Sequence, residues 1–214
     1  NTMIMKPSEL VPLSCQRMAE LLKESGLPDG VFNIINGGKE VVEGICDHAG
    51  IEAVSFVGST KVAKLVYQRS TNSLKRCIAL GGAKNHLFVL PDANPTMTAT
   101  NVTASMSGCA GQRCMAASAM LAVGNVDSII EQIAAEARKV VPGKNLGAVI
   151  SKAAKERIEN FITEAERDGA TILVDGRGAV VEGKENGTYV GPTVIDRVTP
   201  NMSVATEEIF GPVI

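Results

Sequence analysis

The stretch Ala53-Val54-Ser55-Phe56-Val57-Gly58-Ser59-Thr60 decides the fold class. A short apolar strand runs straight into a glycine and two hydroxyl residues, and the helical spacing of Val62–Arg69 follows at once. That join predicts a buried strand turning directly into a helix. A second strand pattern, Lys75–Leu80, closes the unit before Gly81-Gly82. Strand, helix and strand in this order predict a βαβ crossover within a parallel sheet.

The same rhythm extends upstream. Met3–Met5 reads as a strand, and Ser8 as a cap with Glu9 in the first turn of a helix through Leu22, stopped by Gly26 and Pro28. Val31–Ile35 is a second strand, and Lys39–Asp47 a helix entered from Gly37-Gly38. Beyond Gly82 the pattern changes. Strands are expected at His86–Leu90, Ala119–Val123, Thr171–Val174, Tyr189–Ile195 and Ser203–Ala205, and helices at Thr96–Gly108, Ile129–Val140 and Ala153–Arg167. Gly176–Gly187 reads as an exposed hairpin or loop. The change of rhythm places a domain boundary near Leu80–Gly82, giving parts 1–80 and 81–214.

Composition removes several classes of function. The 214 residues are 45% hydrophobic and 21% charged, so a sizeable core is available. Twenty-one basic against 23 acidic side chains leave a net charge of −2, without the basic surplus that a nucleic-acid or anionic-membrane binder needs. Aromatics are 3% with no Trp, which leaves base stacking poorly supplied. Two histidines, His48 and His86, give little for metal sites, and no metal is expected. Cys15, Cys46, Cys77, Cys109 and Cys114 form an odd set without a CxxC pair, which points to a reducing compartment rather than a disulfide framework. No apolar run has the length of a membrane span. The chain opens on a strand interior and stops at Pro212-Val213-Ile214 as an apolar segment begins, so a piece of a longer protein is expected.

Several local constellations can carry chemistry. Gly58-Ser59-Thr60 opens a helix, where backbone N–H groups suit a phosphate, although an ordinary βα turn has the same pattern. Cys114 follows Gly111-Gln112-Arg113; a neighbouring guanidinium favours a thiolate, and glycines let a loop aim the sulfur. Cys109 competes for that role, but its small apolar neighbours suit packing. Lys6 stands at the C-terminal end of a strand, where α/β sheets bind ligands. Glu207-Glu208-Ile209-Phe210-Gly211-Pro212 sets two carboxylates beside an aromatic residue and a turn. His86 reads as a structural histidine.

In this order, Lys6-Pro7-Ser8-Glu9, Phe56-Val57-Gly58-Ser59-Thr60, Leu80-Gly81-Gly82, Gly111-Gln112-Arg113-Cys114 and Glu208-Ile209-Phe210-Gly211-Pro212 resemble the successive motifs of the aldehyde dehydrogenase superfamily. The resemblance covers essentially the whole chain. It implies an α/β fold, with part of a Rossmann-type NAD-binding domain over 1–80 and part of an α/β catalytic domain over 81–214. It further implies Cys114 as nucleophile, and Lys6 and Glu9 as holders of the adenosine ribose. Gly58 and Ser59 would lie near the pyrophosphate, Gly81 near the nicotinamide end, Glu208 on the nicotinamide ribose and Phe210 beside the nicotinamide. One departure is Ala63, where the family often has a second glycine. Another is Ala79, where hydrolytic members carry the glutamate that activates water.

The segments Gly82-Ala83-Lys84-Asn85-His86 through Leu90-Pro91-Asp92-Ala93, and Gly111–Ala116, are similar to those of the CoA-acylating methylmalonate-semialdehyde dehydrogenases. That likeness implies NAD as cofactor and CoA as co-substrate. The substrate it implies is a semialdehyde carrying a carboxylate, oxidised and decarboxylated to propanoyl-CoA or acetyl-CoA; Arg113, whose guanidinium matches a carboxylate, is a candidate partner for it or else a scaffold ion pair. It also implies a homodimer or homotetramer, in bacterial cytoplasm or the mitochondrial matrix. A hydrolytic aldehyde dehydrogenase of another substrate, and a non-catalytic protein retaining the fold, are the alternatives.

Overall fold

Pairs of short strands joined through helices organise the first part of the computed structural model, which describes residues 1–214. β1 (Met3–Met5) and β2 (Phe32–Ile34) pair in parallel around α1 (Leu13–Glu24). α2 (Lys39–Asp47) leads to β3 (Ala53–Val57), which pairs in parallel with β4 (Arg76–Leu80) around α3 (Thr60–Asn72). The two pairs are hydrogen-bonded separately, so the expected parallel sheet takes the form of two βαβ units rather than one continuous ladder. They belong to one compact unit, Asn1–Gly82; a second spans Ala83–Ile214.

The core of the first unit is small. Cys46, Val54 and Val66 are buried, with Phe56 and Cys77 packed against them. α3 turns Ala63, Val66 and Ser70 inward, the i, i+3, i+7 spacing of one helical face. Arg69 on α3 forks onto Asp47 at the end of α2, Nε to Oδ1 at 2.9 Å and Nη2 to Oδ2 at 2.7 Å.

α1 begins at Leu13, not at Ser8 as the sequence pattern predicts. Pro12 is the reason: inside a helix from Ser8 its ring would clash with the carbonyl four residues back, and it disfavours helical geometry at Val11. Ser8–Val11 instead forms a turn, with the Val11 N–H on the Ser8 carbonyl at 3.2 Å.

In the second unit β5 (His86–Val89) pairs in parallel with β6 (Ala119–Ala122) around α4 (Pro95–Ser107). The Asn94 side chain accepts from the Met97 N–H at 2.9 Å, and Pro95 takes the first helical position, a strong helix start. α5 (Asp127–Ala137) packs on α4 through Val102, Met106, Ile129 and Ile133. α6 (Lys152–Arg167) is capped by Ser151 and buries Ile158, Ile162 and Ala165. β7 (Thr171–Val174) pairs antiparallel with β8 (Val194–Asp196), and α7 (Ser203–Thr206) follows.

Two expectations change here. Ser203–Thr206 is a helical turn, not a strand, because the edge beside β8 is already filled: Thr193 and Ile195 donate to the carbonyls of Pro212 and Ile214, both at 2.8 Å. Only the last residues of Tyr189–Ile195 are strand, since Gly176 backs onto Gly191 so closely that a Cβ would lie 2.0 Å from the Gly191 oxygen. Gly176–Gly187 is irregular, the loop of the two expected alternatives.

Candidate active site

In the first unit, candidate residues gather at the carboxyl ends of the parallel strands, where open α/β sheets bind ligands. Lys6 follows β1. Its largely buried ammonium contacts the Pro7 carbonyl, donates to the Gly37 carbonyl beyond β2 at 2.8 Å and reaches Glu9 Oε2 at 3.4 Å. Hydrogen bonding from Glu9's own backbone N–H, and then from Lys6, holds the Glu9 carboxyl below its usual range.

Gly58 and Gly81 are brought together by the β3–β4 register, which pairs Val57 with Leu80 and continues with the Gly58 N–H on the Leu80 carbonyl at 3.1 Å. Neither has room for a side chain. A Cβ on Gly58 would lie 2.6 Å from the Phe56 ring, and one on Gly81 2.9 Å from Thr60 Oγ1. Ser59 is the cap residue of α3 but makes no side-chain cap, so the first-turn N–H groups keep their capacity for an anion. Thr60 accepts from the Gly82 N–H at 3.0 Å and ties the two turns together. These features fit a dinucleotide phosphate. Ala63 is buried, so α3 packs closely without a second glycine.

β4 alternates, with Cys77 and Ala79 half-buried and Ile78 and Leu80 exposed. Neither Ala79 nor Leu80 carries a proton acceptor, whichever of its faces the strand presents to a substrate.

In the second unit Cys114 is exposed on the loop after α4. After α4 the chain takes three consecutive left-handed residues, Cys109, Ala110 and Gly111, with φ of 53°, 52° and 71°. Gly111 has no alternative: a Cβ there would lie 1.9 Å from the carbonyl oxygen of Gly211. That contact seats the Cys114 loop on the segment that carries Glu208 and Phe210. Phe210 is itself left-handed, at φ 53°. Cys109, expected to pack, is exposed, because the turn that contains it presents its carbonyl to Gln112.

Residues before and opposite Cys114 hold the loop. Gln112 accepts from the Ile150 N–H at 2.8 Å. Arg113 turns back to the end of α4, its Nη2 donating to the Ala104 carbonyl at 3.2 Å, and lies where any side chain at Gly108 would stand. Asn85 Nδ2 donates to the carbonyls of Cys114 at 2.7 Å and Ala116 at 3.0 Å. The Cys114 N–H has no partner within the chain. An exposed thiol beside a free, rigidly held N–H is suited to attack a carbonyl and bind the resulting oxyanion. His86 is exposed, with Nδ1 2.9 Å from the Lys84 carbonyl.

Sequence reasoning missed Asn85, Thr60, Arg157 and Lys84 as site residues. Arg157 on α6 donates to the Ile209 carbonyl at 2.6 Å and the Glu208 carbonyl at 3.4 Å. Lys84 has a buried ammonium with no hydrogen-bond partner. Burial pushes it down to about 8, against the opposing pull of the Glu208 carboxylate. Asn85 and Lys84 lie inside a quoted motif, yet their roles depend on partners distant in sequence.

An exposed cysteine loop seated on an acidic-aromatic turn, with glycine-cradled strand ends in a separate unit, belongs to an identifiable class. The sequence pattern of the aldehyde dehydrogenase family matches residues 1–214, and the chain belongs to that family. It is 46% identical over 220 residues to the human mitochondrial methylmalonate-semialdehyde/malonate-semialdehyde dehydrogenase [acylating], covering all of this chain and 41% of that protein. The crystal structure of a methylmalonate-semialdehyde dehydrogenase from Oceanimonas doudoroffii matches with a TM-score of 0.94 at 43% identity, covering all of this chain and 46% of that one. A Sinorhizobium meliloti protein, assigned as a methylmalonate-semialdehyde dehydrogenase and crystallised with NAD, matches with a TM-score of 0.94 at 40% identity, covering all of this chain and 45% of that one. The chain thus spans a little under half the length of these relatives. No helix is long and apolar enough to cross a membrane.

Proposed function

We propose that the protein to which this chain belongs is an NAD-dependent, CoA-acylating dehydrogenase of malonate or methylmalonate semialdehyde, and that Cys114 is its nucleophile. The observation that carries the reading is the exposed Cys114, with its backbone N–H unpartnered, on a loop locked by Asn85 and by the Gly111–Gly211 contact. The names of the relatives supply the substrate class.

Residues 1–80 belong to the NAD-binding domain and 81–214 to the catalytic domain. In the first, Lys6 and Glu9 would hold the adenosine ribose, Gly58, Ser59 and the first turn of α3 the pyrophosphate, and Gly81 would lie near the nicotinamide end. In the second, Glu208 would hold the nicotinamide ribose and Phe210 would lie beside the nicotinamide. NAD, when bound, supplies the hydride acceptor.

The Cys114 thiolate attacks the aldehyde carbon, and the Cys114 N–H stabilises the oxyanion of the thiohemiacetal. Loss of hydride leaves a thioester on Cys114. Its β-carboxylate leaves as CO2, the electron pair passing into the thioester enolate, which is then protonated. The CoA thiolate attacks the thioester carbonyl, and Cys114 departs as thiolate. With no proton acceptor at Ala79 or Leu80, water is a poor substitute for that thiol. Arg113 keeps Nε and Nη1 for a substrate carboxylate while Nη2 holds the end of α4.

In the complete protein, Cys114→Ser is expected to lower pre-steady-state NADH formation by roughly a thousandfold or more. An undiminished burst would show that another group is the nucleophile. Steady-state turnover is expected to require CoA. Equal turnover without it would identify a hydrolytic enzyme.

A further inference from the structure

The Glu208–Phe210 turn is held by groups that the reaction scheme above does not use. Phe210 occupies a left-handed conformation that a bulky residue keeps only when its surroundings impose it. Two consecutive residues of α6 impose it. Arg157 donates to the carbonyls of Ile209 and Glu208 at 2.6 and 3.4 Å, and Ile158 packs so closely that a Cβ on Gly211 would lie 2.7 Å from its Cδ1. The backbone that carries Glu208 is therefore gripped from α6 immediately before its sharpest turn.

Lys84 shares a cavity wall with the same segment. Its ammonium has no hydrogen-bond partner although it is buried, an arrangement that native proteins seldom keep without use. It lines a cavity of about 800 Å3 whose wall also includes Ile209, the residue after Glu208, and Thr206, two residues before it. The other ionisable groups on that cavity are His86 from β5 and, at the end of β8, Asp196 and Arg197, which pair with each other at 3.5 Å. The charge that acts on Lys84 is the Glu208 carboxylate.

We propose that Arg157 and Lys84 are positioning residues for Glu208: Arg157 fixes the backbone that carries it, and Lys84 supplies the buried positive charge that orients its carboxylate. The inference rests on the reading of Glu208 as the ribose-binding carboxylate. Neither residue touches a reacting atom. Both lower the freedom that the carboxylate would otherwise lose on binding. Because Lys84 loses its proton near pH 8, its hold on Glu208 is complete at lower pH and fades as pH rises through that value.

The test is calorimetric titration of NAD into the complete protein and its variants between pH 6.5 and about 9, a range that brackets the Lys84 transition. Lys84→Met and Arg157→Met are each expected to weaken NAD binding about tenfold at pH 7; Lys84→Met should leave the melting temperature nearly unchanged, and Arg157→Met should lower it modestly because it frees the Ile209 carbonyl. Arg157→Lys should recover part of the loss. The parent's affinity should fall across pH 8; Lys84→Met should lack that step, and Lys84→Arg should keep tight binding to pH 9. Parental affinity in either Met variant, or an unchanged pH step in Lys84→Met, overturns the proposal. Arg157→Gln serves in the same way if Arg157→Met does not fold. Glu208→Gln reports separately: parental NAD affinity in that variant overturns the reading of Glu208 itself.

Discussion

Cys114 owes its presentation to residues that do no chemistry. Gly111 is the most demanding of them, since its φ of +71° and the Gly211 carbonyl leave no place for a Cβ. Gly111→Ala must displace backbone rather than a flexible side chain, at a cost of roughly 2–4 kcal/mol. The expected outcome is a lower denaturation midpoint together with a lost NADH burst, because the displaced loop carries Cys114. An alanine variant with a parental midpoint and burst would mean that the loop does not depend on this contact. Cys114 stands out in the sequence as a candidate because a cysteine after Gly-Gln-Arg is both chemically suggestive and part of a known pattern. Asn85 was not. Its partners are the main-chain carbonyls of Cys114 and Ala116, about thirty residues away, and no property of Asn85 itself announces them.

At the scale of elements, the strand-to-helix join at Val57–Thr60 was readable from its own residues because a strand ending in Gly-Ser-Thr has few other continuations. The start of α1 and the turn at Ser203 depart from what their own residues predict, for different reasons. Pro12 overrides a good local cap, whereas Val204 looks like strand until the neighbouring edge is known to be filled. The link between α2 and α3 carries a prediction of its own. Asp47 accepts both bonds of the Arg69 fork, which holds its carboxyl below the usual range. A depressed carboxylate contributes stability that is full above its unfolded value and is lost as pH falls through the folded one. The first unit should therefore loosen on acidification below the ordinary carboxylate range. Asp47→Asn should lower its melting temperature slightly near neutrality and flatten that acid dependence. Melting followed by circular dichroism from pH 7 to about 3 checks this, and an Asn variant with the parent's full acid dependence would assign the effect to other carboxylates.

For the whole chain, the sequence indicated apolar content sufficient for a core, and the structure locates where that content is left uncovered. α1 has no buried residue, and Leu13 and Leu21 are 75% and 50% exposed. On β4, Ile78 and Leu80 are 63% and 56% exposed, and on β5 Phe88 is 69% exposed. Composition could not foresee this, because burial depends on which polypeptide packs against each face and not on how many apolar residues there are. Covering a side chain of this size is worth about 1.5–3 kcal/mol, so leaving several of them bare is strongly disfavoured in water. The chain also spans only 41% of the human relative to which it is 46% identical. Produced by itself, the 214-residue polypeptide should therefore bind a hydrophobic dye such as ANS and elute from a sizing column as self-associated species. Charges substituted at Leu13, Ile78 and Phe88 should reduce both signals without changing the circular dichroism spectrum, since these side chains contribute little to either unit's core. A monomer that leaves the dye dark would mean that these faces find cover within the chain in solution.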